Sequence, residues 1–538
     1  MADPILLQLT RSLLEAAAEV MGVTLRRVAF SANIKERRDF SCALFDGRGR
    51  LLAQAAHIPV HLGSMPASVQ AVLQKLGTLA DEDVAIVNDP YAGGTHLPDI
   101  TLVSPIYSEG QLIGYSACRA HHADVGGITP GSMSLARHID EEGHRISPSL
   151  LYQGGQAHGP VMDALLAAVR NPDERRGDLE AQLAANTIGV RAVQRLAGQF
   201  GRQHLAEYSQ ALLDYSAAFM GRAIAAIPEG IYRFEDCMDD DGFAARGIAI
   251  RVTLTIRAGR AIVDLRDTAD GVEGPINCPR AVACSAAYYC FACLLDEAVP
   301  FNDGCFSMID VLTRPGSLVD AQYPRPVVAG NTETSQRVVD VVFGALAQAL
   351  PGRIPAASSG TMSSLALGGT SNCTPKPPPP PSPGVPGEGE IPSVWTYYET
   401  IPGGAGGGPH GCGAHAIHTH MTNTLNTPAE ALELQYPLRV RRFERWGGSG
   451  GAGQNAGGDG AVREIEILSD IEGTILSERR RFAPWGLAGG QPGSPGVNTL
   501  IHADGSLQNL DGKAHFRAGP GCRIRIVTPG GGGWGTPP

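Results

Sequence analysis

Two apolar runs each stop abruptly at a polar, glycine-punctuated segment, and that pairing constrains the fold most. The runs are VAIV (residues 84–87) and LIGYSAC (112–118); the segments are NDPYAGGTHLPDI (88–100) and RAHHADVGG (119–127). Short apolar runs bounded by turn residues read as buried strands, and the glycines and prolines place the polar side chains on strand-end turns. Three histidines (His96, His121, His122) and three aspartates (Asp89, Asp99, Asp124) fall within 37 positions. Ordinary surface decoration would mix in lysine and glutamate, yet neither occurs between Asn88 and Glu109. Neutral imidazole and carboxylate are the donors that a divalent ion such as zinc, manganese or iron accepts. Two neighbouring strand-end loops can aim such groups at one point. Asp39, at the head of the alternating stretch FSCALFD, offers a third place from which a carboxylate can reach it.

Composition narrows the function classes. With 538 residues, the chain can bury a large core and divide into two or three portions. A net charge of -11 leaves no basic stripe for nucleic acid. No apolar run approaches the roughly 20 residues that span a bilayer, and the amphipathic, acid-containing start MADPILLQLTRSLLEAAAEVMG is not read as a signal peptide. The eleven cysteines are scattered except for Cys278, Cys284, Cys290 and Cys293. Cys290 and Cys293 form Cys-x-x-Cys inside an apolar helical run, without the second pair a zinc ribbon needs, so reduced thiols and a cytoplasmic setting are expected.

The hydrophobic pattern changes along the chain. A helix is expected near residues 5–21 and another from about Pro66 with Ser64 as its N-cap. His57 and His61 sit in the loop before it. The polar stretch 131–159 reads as a functional loop or lid. Helices dominate 161–226, period-two strands follow from about Ile227, and further helices are expected over 281–295 and 334–350. The expected class is α+β: a large mixed fold with a metal-bearing N-terminal half and a β-rich, glycine-rich C-terminal part. Its portions are 1–260 (α+β, with the metal site), 261–372 (mixed, with long helices), 373–392 (an exposed proline-rich insertion) and 393–538 (β-rich). The 68 glycines are concentrated in the last third, where they suit close approach of backbone to a ligand or partner chain. Four histidines there, His410, His415, His418 and His420, pose the question of a second metal site.

Taken in order, ERRDFSCALFD, HIPVHLGSMPASV, NDPYAGGTHLPDI, AHHADVGGITPGSM, VAGNTETSQRVVDVVFGALAQALP, RIPAASSGTM, YYETIPGGAGGGP, THMTNT, SERRRFAPWGLAGGQPG and TPGGGGWG resemble the hydantoinase B/oxoprolinase family over nearly the whole chain. The proline-rich insertion departs from the family pattern but only extends a loop. The resemblance implies a B subunit in a hetero-oligomer, acting on a small cyclic amide after a hydantoinase A-like partner has used ATP to phosphorylate it. Consistently, the chain has no Gly-x-x-x-x-Gly-Lys-[Ser/Thr] loop.

The implied reaction is ATP-dependent opening of a cyclic amide, as in 5-oxoprolinase or N-methylhydantoinase, with a metal-activated water. The alternatives are a subunit of an ATP-dependent ketone carboxylase of the acetone or acetophenone type, or a structural subunit without chemistry. The resemblance carries over Asp39, His96, Asp99 and His121 as the metal set and His122, Asp124 and Glu333 as catalytic or supporting groups. Asn331, Gln336 and the glycine loop 403–408 are expected to shape the pocket.

Overall fold

The computed structural model describes residues 3–55, 58–295, 299–370 and 394–537. The proline-rich insertion 373–392 and His57 lie outside the described residues. Seven strands build the N-terminal sheet: β1 (Phe40–Asp46), β2 (Leu51–Gln54), β3 (Val84–Val87), β4 (Asp99–Ser108), β5 (Gln111–His121), β6 (Ser149–Gln153) and β7 (Gln156–Ala157). Their order is β2-β1-β5-β4-β3-β6-β7, and every pairing is antiparallel. All of β1 is buried, because both faces of the sheet are covered. Cys42 and Leu44 pack beneath helices Pro4–Val28 and Pro172–Phe200, beside Leu14, Met21 and Ala185. Ala43 and Phe45 face the other way, towards Met65, Val69 and Val72 of helix His61–Leu76. This alternation across one strand is the period-two pattern visible in FSCALFD.

Helix His61–Leu76 corrects the expected boundary. It begins before Pro66, which sits inside it, and Ser64 does not cap it. The Ser64 hydroxyl instead donates to the Val60 carbonyl one turn back, at 3.0 Å. Stretch 131–159 is also more ordered than a lid: it supplies β6 and β7, and it buries Ile139 and Glu142.

A second sheet runs Ile309–Leu312, Arg260–Asp264, Arg246–Arg257, Gly230–Asp240, with only its first pair parallel. Arg246–Arg257 and Arg260–Asp264 pair across residue 260, so this sheet joins the first two sequence portions. Helix Ser335–Ala349 is buried almost all round: its valines, Phe343 and Leu346 join the core, and its Arg337 and Asp340 are buried as members of ion pairs. A π-helical turn, Gly330–Thr334, leads into it. Two antiparallel C-terminal sheets share a core of Leu365, Trp395, Tyr397, Ile465, Ile475 and Ile524. The architecture is mixed helix and sheet, as expected, and predominantly antiparallel.

The C-terminal glycines approach backbone of this same chain. Extended segments around residues 404–407, 451–458, 490–493 and 530–533 lie side by side. They bond laterally through Gly407 N to Gly532 O, Gly458 N to Ala405 O and Gly531 N to Gly458 O, at 2.8–2.9 Å. A Cβ on Gly458 would stand 1.9 Å from the Ala414 carbonyl oxygen, and one on Gly404 would stand 1.9 Å from that of Gly458. Because the obstruction is backbone, a side chain forces the segments apart. Gly458→Ala is expected to destabilise the chain by about 4 kcal/mol or more, read as a lowered denaturant midpoint. An unchanged midpoint would show that the segments do not pack this tightly.

Candidate active site

The register of three adjacent strands brings the sequence-distant donors together. Asp99 opens β4 directly opposite His121, the last residue of β5. The next strand, β1, starts beside them: Phe40 pairs with Ala120, and the His121 amide donates to the Asp39 carbonyl at 3.0 Å. His96 comes from the turn just before β4. That turn is pinned by Asn88, whose Nδ2 donates to the Leu97 carbonyl at 2.8 Å and to the His144 carbonyl at 3.0 Å. Helix His61–Leu76 adds His61 from its first turn.

The five side chains line a small chamber of about 20 Å³, completed by Asn331, Thr332, Tyr398, Thr422 and Thr424 among others. That volume holds one water molecule or one ion. All four of the carried-over donors are buried, His96 and His121 to within 2% of full burial. His61 Nε2 lies 3.3 Å and His96 Nε2 3.9 Å from Asp99 Oδ2, and Thr95 donates its hydroxyl to the same oxygen at 2.5 Å. Outer groups orient the rings. Ser41 Oγ sits 2.7 Å from His61 Nδ1, Asn33 Nδ2 lies 3.1 Å from His121 Nδ1, and Tyr398 stacks on His121 with 4.8 Å between centroids. The guanidinium of Arg37 lies over the Tyr398 ring, 4.6 Å from its centroid, and 3.5 Å from Asp39.

Burial sets the charges. It lowers His96 to about 4 and pushes His121 well below the ordinary imidazole value, so both rings are neutral at pH 7. Burial also raises Asp39 to about 7, against the opposing pull of Arg37. For Asp99 burial works upward too, but the facing His96 and His61 rings outweigh it and hold the carboxyl low.

The chamber therefore collects neutral imidazoles and carboxylates, and several of their atoms lack a partner. His96 Nδ1 and Nε2, His121 Nε2 and Asp99 Oδ1 are buried without a hydrogen bond. Each such atom costs about 1–3 kcal/mol unless something meets it. The donor types and these orphaned atoms fit a divalent ion. Among the described residues, no group of three His, Cys, Asp or Glu side chains is arranged to hold an ion as it stands, so the donors would have to draw in around one. Asn33→Ala is expected to weaken metal binding by the chain about 10- to 100-fold, by freeing the His121 ring that it orients. Calorimetric titration with Zn²⁺ or Mn²⁺ reads this directly, and unchanged affinity would mean that this ring is not a ligand.

The remaining expected residues lie elsewhere. His122 points to the opposite side of the strand end, where its Nε2 meets Gln182 Oε1 at 2.8 Å, and Asp124 is held by Arg170 at 2.6 Å and by the Ser132 hydroxyl. Neither lines the chamber. Glu333 follows the lining residues Asn331 and Thr332 but turns away; its Oε1 accepts from the Met362 amide at 3.3 Å, and burial raises it to about 8. Gln336 donates to the Thr419 carbonyl at 3.1 Å. Asp89 pairs with Arg145. The later histidines do not gather: His415 accepts from the Asp459 amide, whereas His420 packs against Tyr289 and Phe343. Sequence reasoning noted His61 without assigning it a role, and it missed Thr95, Tyr398, Thr422 and Thr424. The alternation in THMTNT, which puts Thr422 and Thr424 on one side, was the available signal.

The ten described cysteines are all free; Cys278, Cys284 and Cys290 are buried and Cys293 is exposed. No described helix is long and apolar enough to cross a membrane.

Comparison with known proteins places these observations. A family model described as Hydantoinase B/oxoprolinase matches residues 3–537. The 5-oxoprolinase 1 of Arabidopsis thaliana is 37% identical over 559 residues, covering 99% of this chain but 42% of its own. The chain thus spans about two fifths of the length of that relative. The crystal structure of an ATP-dependent caprolactamase from Pseudomonas jessenii superposes with a TM-score of 0.90 at 28% identity, covering all of this chain and 92% of that one. A nucleotide-free acetone carboxylase structure shares the fold at a TM-score of 0.87 and 18% identity, over 99% of this chain and 76% of its own.

Proposed function

We infer the activity from this premise: the chain belongs to the hydantoinase B/oxoprolinase family. We propose that it is the B-type subunit of an ATP-dependent cyclic amide hydrolase of the 5-oxoprolinase or N-methylhydantoinase type. Its substrate is a five-membered ring that a hydantoinase A-like partner has phosphorylated on the carbonyl oxygen. The names of the 5-oxoprolinase and caprolactamase relatives favour a cyclic amide over a ketone. The single observation that carries the chemistry is the chamber with its orphaned His96, His121 and Asp99 atoms.

In this reading Asp39, His96, Asp99 and His121 hold a divalent ion, zinc, manganese or iron. Such an ion, when bound, lowers the pKa of water and polarises oxygen. The chain's own residues do the rest. Thr95 and His61 fix the Asp99 carboxylate, with Ser41 orienting His61, Asn33 and Tyr398 hold the His121 ring in place, and the burial of the chamber excludes bulk water. Phosphorylation makes the ring carbon an electrophile. Water adds to it, the ring C–N bond breaks with the nitrogen gaining a proton, and the acyl phosphate left behind is hydrolysed to carboxylate and phosphate.

Co-expression of the chain with an A-like subunit tests this. ATP consumption and products are measured with 5-oxoproline, N-methylhydantoin, and acetone plus bicarbonate. Ring-opened product that requires both subunits is the expected result. Bicarbonate-dependent use of the ketone with neither ring opened would replace the hydrolase with a carboxylase. If a His96→Ala chain supports product release like wild type, the subunit is a scaffold.

A further inference from the structure

The unmet polar atoms of the chamber wall come from two kinds of element. The strand ends supply His96, His121 and Asp99, whose orphaned atoms suit a cation. The π-helical turn Gly330–Thr334 supplies Asn331 and Thr332, which also line the chamber and are 3% and 1% exposed. Asn331 Oδ1 and Thr332 Oγ1 are buried without a hydrogen bond. The hydroxyls of Thr400, Thr422 and Thr424 on the same wall are engaged with one another, Thr424 lying 2.9 Å from Thr400 and 3.4 Å from Thr422. A carboxamide oxygen and a hydroxyl are not the usual ligands of zinc-like ions, but both hydrogen-bond to water. The chamber of about 20 Å³ seats one water, and a seated water needs about two to four polar partners.

The turn that carries these two side chains is firmly held. The Gly330 amide donates to the Pro275 carbonyl at 2.9 Å and the Asn331 amide to that of Val327 at 3.1 Å. The Thr334 hydroxyl donates to the Ile276 carbonyl, and the Ser335 hydroxyl to the Asn331 carbonyl, both at 2.6 Å. Gly330 lets the turn press against its neighbour: a Cβ there would stand 1.9 Å from the Asn277 carbonyl oxygen. With the backbone so tied, the shape of the wall does not need polar side chains at 331 and 332. Leucine and valine would fill nearly the same space and remove the cost of leaving buried polar atoms unmet. π-helical turns also occur frequently at functional sites.

We propose that Asn331 Oδ1 and Thr332 Oγ1 hold the attacking water in the chamber. This rests on the cyclic amide reading, in which water adds to the activated ring carbon. Asn331 Oδ1 can only accept, so it takes one O–H of the water. The Thr332 hydroxyl accepts the other O–H or donates to the water oxygen. Either way a lone pair of the water stays free to meet the carbon. Fixing the nucleophile in this manner removes orientational freedom before the reaction. The two residues bind the water and not the ring, which a chamber of about 20 Å³ is too small to admit.

Full-length Thr332→Val, Asn331→Leu and Thr332→Ser test this. Valine and leucine keep the shape and remove the unmet atoms, so the denaturant midpoint of the chain should hold or rise. In the complete complex, kcat for 5-oxoproline should fall about tenfold to a hundredfold while KM stays within about twofold. Thr332→Ser keeps the hydroxyl and should retain most of the turnover. Lowered midpoints, with serine no better than valine, would mean a structural role and overturn the proposal, as would unchanged kcat in folded variants. If Asn331→Leu does not fold, the two Thr332 variants decide. Calorimetry should find the Zn²⁺ affinity of Thr332→Val within about threefold of wild type, whereas a loss of about tenfold would make Thr332 a ligand of the ion and overturn the assignment. Crystals of the wild-type chain should show a water within hydrogen-bond distance of both oxygens that is missing from Thr332→Val; no water there in wild type would also overturn it. That water in a chain whose complex opens no cyclic amide would uphold the water site and reject the hydrolase reading instead.

Discussion

On the proposed ligand set, replacing His96 or His121 with alanine will leave the chain folded but abolish binding of a divalent ion. Metal content should drop from about one ion per chain to a small fraction of that, and product release by the complex should fall about a thousandfold, the several kcal/mol a Lewis acid supplies. Folding should survive because neither His96 nitrogen has a hydrogen-bond partner and His121 has only Asn33, so removing either ring breaks few hydrogen bonds. His122→Ala is the matched control: it removes the neighbouring ring from the opposite side of the strand end, where it meets Gln182. Metal content should stay at wild-type level there. Full occupancy in the His96 and His121 variants, or loss in the His122 variant, would relocate the site.

Removing the guanidinium of Arg479 will have a large effect on stability. Its Nη2 lies 2.6 Å from both Asp236 and Asp340, and Arg337 approaches the same two carboxylates at 3.3 Å and 3.5 Å. Arg337 also faces Glu478, which pairs with the buried Lys513 at 2.5 Å. This network ties the second sheet and helix Ser335–Ala349 to the C-terminal sheets. Arg479→Ala leaves Asp236 and Asp340 facing each other with one cation fewer. Breaking a buried pair in this way costs about 3–5 kcal/mol. Denaturant unfolding should show that loss, and the double variant Arg479→Ala/Asp340→Ala should recover part of it, since it removes the stranded charge. A single variant within about 0.5 kcal/mol of wild type would mean that water already screens the network.

Much of the site was legible because its donors sit at strand ends, where a local pattern is enough. VAIV is β3 as read, and LIGYSAC lies within β5. The density of histidine and aspartate after these runs marked a place of chemistry before any strand was paired. Strand alternation also separates His121 from His122, and that was available from the sequence alone. The glycine loops were read differently. Their composition signals close approach, but an identical composition serves approach to a ligand or to other backbone.

The amino-acid sequence by itself determined the family, the mixed class of the fold, the period of the main strands and helices, and the chemical types of the donors. Those properties depend on neighbours within a few residues, or on motifs kept in order. Only the tertiary structure decided which donors meet. Asp39, Asp99 and His121 converge because β1, β5 and β4 are adjacent and in register: β4 and β5 form a local hairpin, but β1 joins β5 across a long separation, Phe40 opposite Ala120 and Asp46 opposite Gly114. The same long-range packing turned His122 and Asp124 towards Gln182 and Arg170, brought His61 in from a helix, and closed the chamber to about 20 Å³ with threonines from beyond residue 420. Long-range register is set by the burial of whole faces, and no short stretch of sequence contains that information.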